Sequence, residues 1–449
     1  MDKEVPPAET RLRPNSNPHF FTPALWGTFA LTLFSGIFMM VYYIPTFTQA
    51  FSTVERLNEQ VPFGWMIRRA HSVGGNFLLI FMLLYLLDIF YRGEYKSGSR
   101  AGWVVAILSF FLTVWTNFSG VFLPLSQSAF WGTAAVLSSL SSIPGIGSFS
   151  ADFLRGGKEL GGTALVRLYS MHVGFSALIG LLLFWTHRLR LSEKKKEEES
   201  DSQRRNGILF AAVAAGLLLT AVTFAPDWFS DPLKEAANPM LNPERVSPPW
   251  YFLFLEETLR FISVPYPTWS VVAIVLIPLL LILLPYIDRN PERSILLRPL
   301  ALGLGAAFLV AVVYFSLLGT ANARYGEKII LPDRPLSASE IRGARVFAEK
   351  NCAFCHQVFG KEGRREGPDI TVVRQRLRSP LWIQRFILNP RLYQPGTTMP
   401  RYEIPLEDLE ALSAYLLSLD SRKGNFKPVE RRLFLDYGTY LEVQKEEKR

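Results

Sequence analysis

Seven long apolar runs constrain this chain more than anything else in its 449 residues. They fall at roughly 24–43, 67–90, 103–123, 167–187, 207–226, 269–287 and 300–319. Each is close to the ~20 residues that cross a bilayer. Inside lipid every backbone amide needs an internal partner, so such runs fold as helices. The expected architecture is all-α, a seven-helix transmembrane bundle. The loops 1–22, 91–102, 188–206 and 288–299 hold most of the loop Lys and Arg, including KKK at 194–196 and RR at 204–205. By the positive-inside rule these loops face the cytoplasm, which puts the N-terminus inside and everything after about residue 325 outside. The net charge of +9 thus follows from topology and does not call for nucleic acid. No short apolar segment with a small-residue cleavage site opens the chain, so no cleaved signal peptide is expected.

Composition divides the chain further. SEKKKEEESDSQRRN (192–206) has no apolar periodicity and reads as a solvated linker. It separates a four-helix part, 1–191, from a three-helix part, 207–325. A second linker covers 326–339, a small helical domain 340–420, and a charged tail 421–449.

The small domain carries C-x-x-C-H at Cys352, Cys355 and His356. Two thiols one helical turn apart can add to the two vinyl groups of one haem, and the adjacent imidazole then meets the iron. Alone, the pentapeptide also suits a redox dithiol or half a zinc site. Its surroundings favour haem: SASEIRGARVFAEKN leads in as a helix capped by Ser337 or Ser339, and LEDLEALSAYLLSL (406–419) closes the domain. Met399 lies in GTTMPRYE, on a proline-flanked loop, and a methionine thioether is a common second axial ligand. This order and spacing resemble a class I cytochrome c, which implies one covalent haem c.

The chain has five histidines, at 19, 71, 172, 187 and 356. His71, His172 and His187 fall in apolar runs, where ionisable groups are costly and are functional candidates by default. His187 follows His172 by 15 residues, about 22 Å along a helix. Imidazoles so spaced can hold two stacked haems, with partner imidazoles from a facing helix. The competing reading of each is a hydrogen bond to a neighbouring helix.

Several ordered motifs then resemble cytochrome b of the quinol-oxidising cytochrome bc complexes, most closely the b6f branch. They are YYIPTFTQAFSTV (42–54), FGWMIRRAH (63–71), SGVFLP (119–124), IPGIG (143–147), LRGG (154–157) and RLYSMH (167–172). Residues 205–320 resemble subunit IV of that complex, through NPMLNPERVSPPWYFLFLEETLR (238–260) and DRNPERSILLRP (288–299). The resemblance implies that His71 and His172 are the axial pair of an outer haem b. It implies that Arg68 and Arg167 neutralise haem propionates, and that Gly36 and Gly75 let a porphyrin approach a helix. It further implies quinol as substrate, a Rieske iron–sulfur protein as partner, a cytochrome c or other electron acceptor, and a homodimer. The setting would be a prokaryotic cytoplasmic (inner) membrane, spanned many times.

The chain also departs from that family. The inner haem's histidine is expected 14 residues after His71, where Tyr85 stands. A glycine expected at the start of the first helix is Thr22 or Pro23, and the b6f tethering cysteine would fall near Phe20. Three outcomes stay open. The inner haem is lost, or it persists on His187 with Tyr85 opposite, or another group replaces the ligand, His19 ahead of Met82. At the quinol site the family's Pro-Glu-Trp-Tyr reads Pro248, Pro249, Trp250, Tyr251, and Leu125 replaces a tryptophan. Glu256 and Glu257, two turns on, are the expected substitute proton acceptors, with Tyr251 at the quinol. The implied activity is a quinol:cytochrome c oxidoreductase subunit. A quinone-linked conduit without bifurcation and a non-enzymatic haem protein are the alternatives.

Overall fold

The computed structural model of the protein describes residues 21–96, 100–141, 143, 145–157, 160–193, 201–239, 248–263, 276–322, 328–359, 367–371, 379–394, 397, 399–420 and 425–436. His19 and Phe20 lie outside the described residues, as does the side chain of His187.

Six helices among the described residues are long and apolar enough to cross a bilayer. They are α1 (Thr22–Met40), α3 (Gly64–Arg92), α4 (Arg100–Phe122), α7 (Gly162–Glu193), α8 (Asp201–Phe224) and α11 (Pro299–Asn322). The remaining apolar run is described only over α10 (Ile277–Ile287). Shorter helices lie between them: α2 (Ala50–Gln60), α5 (Gln127–Ser141), α6 (Gly147–Arg155) and α9 (Trp250–Ser263). The chain is a multi-pass membrane protein. Leu217, Leu219, Leu304 and Val310 stay exposed on α8 and α11, as expected of side chains whose solvent is lipid.

Within the bundle α1 packs on α3 and α4 on α7, while α9 packs on α11. Small residues set the approaches. A Cβ on Gly74 of α3 would stand 2.9 Å from Thr32 Cγ2 of α1. On α4, buried hydroxyls are satisfied within their own helix: Ser109 Oγ donates to Val105 O and Thr113 Oγ1 to Ser109 O. At one end of the bundle Arg298, 3% exposed, is held by Tyr95 Oη (2.8 Å) and by the carbonyls of Phe90 and Tyr91 (3.0 Å each). Lys96 and Asp288 form an ion pair of 2.7 Å beside it.

The C-terminal domain follows strand β1 (Lys328–Pro332). Its longer helices and the haem-motif turn are α12 (Ala338–Glu349), α13 (Cys352–Cys355), α14 (Pro380–Leu388) and α15 (Leu406–Ser418). Ser337 is the cap of α12, in a full capping box with Glu340. Helices α12 and α15 cross where α12 has no side chain: a Cβ on Gly343 would sit 1.9 Å from Ala411 O. Strand β2 (Phe426–Glu430) pairs antiparallel with β1, Ile330 opposite Pro428. Both strands belong to stretches that read as linker and tail. Their pairing spans nearly the whole domain, which no local pattern reveals. Ile329, Leu331 and Phe434 share one core with Phe347 and Tyr415, and Tyr415 Oη donates to Ile330 O at 2.7 Å.

Candidate haem and quinol site

Two histidines face each other inside the four-helix core. His71 on α3 and His172 on α7 have ring centres 6.0 Å apart, with planes at 68°. A metal–imidazole bond is about 2 Å, so two imidazoles on opposite faces of one metal have centres roughly 6 Å apart. The rings are anchored alike. Nδ1 of His71 lies 2.9 Å from Thr32 O, and Nδ1 of His172 lies 2.8 Å from Thr116 O. A carbonyl only accepts, so each Nδ1 carries the proton and each Nε2 keeps its lone pair. That second bond is how proteins orient a metal-binding imidazole.

Glycines make room for the rings. A Cβ on Gly36 would be 2.9 Å from Cε1 of His71, and one on Gly120 would be 2.7 Å from Cε1 of His172. Both line a cavity of about 640 Å³, together with Gly75, Arg68 and the two histidines. That volume suits a whole cofactor. Of the expected residues, Gly36, Gly75, His71, His172 and Arg68 come together here, and Arg167 does not. Its guanidinium donates to Phe153 O and lies over the Phe153 ring, away from the cavity lining. Arg68 is buried and donates to Asn58 Oδ1 (3.1 Å), Ser230 Oγ (3.3 Å) and Asp231 O (2.9 Å).

The cavity continues to Pro248, Pro249, Trp250 and Tyr251. Trp250 Nε1 donates to Asn76 Oδ1 at 2.7 Å, and Asn76 Nδ2 donates to Phe229 O at 2.9 Å, so one side chain of α3 pins both segments. The Tyr251 hydroxyl is buried and has no partner in the protein. Glu256 and Glu257 are buried as well, but neither lines the cavity, and Glu257 Cγ lies against Gly319 of α11. About one and a half turns beyond Tyr251, they are carried past the cavity by the helix. The carboxylates that do line it are Asp227 and Asp231. Asp231 Oδ2 accepts from Ser126 Oγ (2.5 Å) and Ser128 Oγ (2.7 Å). Sequence reasoning missed Gly120, Asn76 and Asp231. Gly120 sits in a quoted motif and was within reach, whereas the other two owe their place to partners far along the chain.

In the C-terminal domain His356 repeats the pattern. Its Nδ1 lies 2.9 Å from Pro368 O, and a Cβ on Gly367 would be 2.3 Å from Cε1 of His356. Burial holds its pKa below the ordinary histidine value, which keeps the ring neutral with Nε2 free. Cys352 is pushed up to about 12, chiefly by burial. A redox dithiol needs a lowered thiol pKa, so that reading of the pentapeptide is disfavoured. Met399 packs against the domain core, and its backbone N–H donates to Thr397 Oγ1 at 3.2 Å. Phe354, between the cysteines, is 1% exposed because it packs on Trp131 and Ala135 of α5.

A membrane bundle with opposed, carbonyl-anchored imidazoles, joined to a C-x-x-C-H domain, defines a membrane electron-transfer protein that uses haem. Comparison with known proteins names the family. Residues 19–195 match the family model "Cytochrome b/b6/petB", 236–331 match "Cytochrome b(C-terminal)/b6/petD", and 341–420 match "Cytochrome c". A solved chain described as "Hyperthermophilic respiratory Complex III" is similar, with a TM-score of 0.61 and 26% identity. That match covers 69% of this chain and 85% of that one. The chain belongs to the cytochrome b family of bc-type complexes, with both parts of cytochrome b and a cytochrome c domain in one polypeptide. It is an electron-transfer subunit of an oxidoreductase complex, and its domains imply haem b and haem c.

Proposed function

We propose that this chain is the membrane subunit of a quinol:cytochrome c oxidoreductase that binds quinol in the cavity lined by Tyr251. One observation carries the reading: a single cavity runs from the His71–His172 pair to the unpartnered Tyr251 hydroxyl. His71 and His172 would hold haem b, each with Nε2 left available. Cys352 and Cys355 would tether haem c, and His356 and Met399 would supply donors to its iron. When bound, each haem exchanges one electron at a time.

The protein's own groups handle substrate and protons. Tyr251 donates a hydrogen bond to a quinol oxygen. Hydroquinone loses two electrons and two protons on oxidation, and Asp231 takes the role of proton acceptor that Pro249 cannot fill. Its hydrogen bond to Ser128 offers the proton an onward step. A Rieske-type partner and the b site would be the two one-electron acceptors. Basic loops on the far side support a cytoplasmic N-terminus, with the cytochrome c domain and the cavity on the outer side. Arg68, Gly36 and Gly75 shape the haem pocket, and the working unit is a homodimer.

The test uses membranes holding the full chain and its partners. A short-chain hydroquinone should reduce both haem b and haem c. His71→Ala should abolish reduction of haem b while haem c stays attached. Failure of hydroquinone to reduce either haem in the intact assembly would overturn the proposal.

A further inference from the structure

The family implies a second haem b one step deeper in the bundle, and this chain does not fit it. The cavity described above is built from four residues on four helices: Gly36, His71, Gly120 and His172. Fourteen residues further from the cavity, about 21 Å along each helix, the first three become Thr22, Tyr85 and Ala106. Two of the glycine positions therefore carry a side chain and one of the two imidazole positions carries a phenol, which leaves His187 on α7 without an imidazole at Tyr85 to face it.

The space between the helices at that level is already filled. Leu25 of α1, Met82, Tyr85 and Leu86 of α3, Ile107 of α4, and Leu183 of α7 are all buried in one cluster. Met82 is 1% exposed and Ala106 is 0% exposed. Midway between the two levels, about 12 Å beyond His172 along α7, a glycine is also in use. A Cβ on Gly180 would be 2.9 Å from Cζ of Phe29, so the bare backbone there receives a phenyl ring of the protein itself. Gly36 and Gly120 lie on the open cavity, which Phe29 lines as well. Interiors packed like this leave no slot for a group as large as a porphyrin.

We infer that this chain holds a single haem b, between His71 and His172, and that the other half of its bundle is a closed apolar core. The consequence for function rests on the quinol-oxidising reading above. Electrons that enter the bundle at the cavity leave it at the same end, beside α5 and the cytochrome c domain. The chain then supplies no b-type relay between the two faces of the membrane.

The test is a haem count on the purified full-length protein, with its covalent haem c as internal standard. Pyridine haemochrome spectra should give one haem b per haem c, and redox titration of the b band should fit one component. Two haem b per haem c, or two b components, would overturn the inference. His71→Ala should remove all of the haem b signal with haem c retained, and survival of half that signal would equally overturn it. Should that variant fail to assemble, the wild-type count and titration decide alone. The count does not depend on what reduces the protein. A one-to-one ratio in a protein that hydroquinone does not reduce would end the quinol reading and leave this inference standing. A two-to-one ratio with hydroquinone reduction would do the reverse.

Discussion

Replacing Gly120 by alanine should loosen haem b without loosening the fold. The new Cβ would stand 2.7 Å from Cε1 and 3.1 Å from Nδ1 of His172, where ordinary contact begins at 3.4 Å. The ring has to retreat by about 0.7 Å, and the direction is away from α4. Helix α4 also supplies Thr116 O, the acceptor at 2.8 Å that fixes the imidazole. The retreat therefore strains the bond that orients the ligand. Losing such an orienting contact typically costs 10–100-fold in metal affinity, about 1.4–2.8 kcal/mol. The helix itself gains, since Gly→Ala in a helix interior is worth roughly 0.5–1 kcal/mol. The two effects have opposite signs, so the assay separates them. Haem b per haem c, read by pyridine haemochrome under limiting haem, should fall while thermal stability of the apo-bundle holds or rises. Gly174→Ala is the control: it lies two residues from His172, with nothing within 4 Å of its Cβ. An unchanged haem ratio and an unchanged low-spin EPR signal in Gly120→Ala would refute the idea that backbone contacts hold this ligand.

Three further outcomes are expected. Tyr251→Phe should leave both haems and the fold intact, because the hydroxyl makes no bond in the protein. Hydroquinone oxidation should weaken by the value of one hydrogen bond, ~0.5–1.5 kcal/mol, in steady-state assays. Asp231→Asn should slow hydroquinone oxidation by roughly 10²-fold or more, as loss of a general base does, while Glu257→Gln should change it little. Equal losses in both variants would count against the assignment to Asp231. Ser337→Ala should cost the cytochrome c domain about 0.5–2 kcal/mol in denaturant unfolding. The same capping box predicts a pH effect. Hydrogen bonding from Arg334 holds the Glu340 carboxyl below its ordinary value of 4.5. The stability it contributes is present above that value and lost as pH falls through the lower folded one. Glu340→Gln should flatten that acid limb in thermal melts.

Much of this architecture is legible in the amino-acid order. Hydropathy alone marks the spanning helices, because a bilayer demands about 20 apolar residues in a row whatever the fold. The C-x-x-C-H run is legible for a similar reason, since its chemistry is contained in five consecutive residues. The histidine pair is half legible. Charge in an apolar run flags His71 and His172, but the carbonyls of Thr32 and Thr116 that set their tautomer come from other helices. Asp231 was out of reach, because its serine partners lie 105 and 103 residues away. Glu256 and Glu257 mislead in the opposite direction. Their sequence proximity to Tyr251 suggests a shared cavity, yet the helix turns them elsewhere. Tyr85 reads as a lost ligand, and only the burial of Met82 and Leu86 with Ile107 and Leu183 reveals what occupies the space instead.

Phe354 has a consequence of another kind. Seated on Trp131 and Ala135, it joins the haem-binding turn of the C-terminal domain to the membrane bundle. Full burial of one phenylalanine is worth roughly 1.5–3 kcal/mol. A contact of that size corresponds to a seated-to-released ratio on the order of ten to a hundred. With both parts on one polypeptide, this ratio does not change when the protein is diluted. A separate cytochrome subunit would meet its donor at a rate set by its abundance. Here the encounter is first order, and its frequency is set by how often one aromatic side chain leaves its seat.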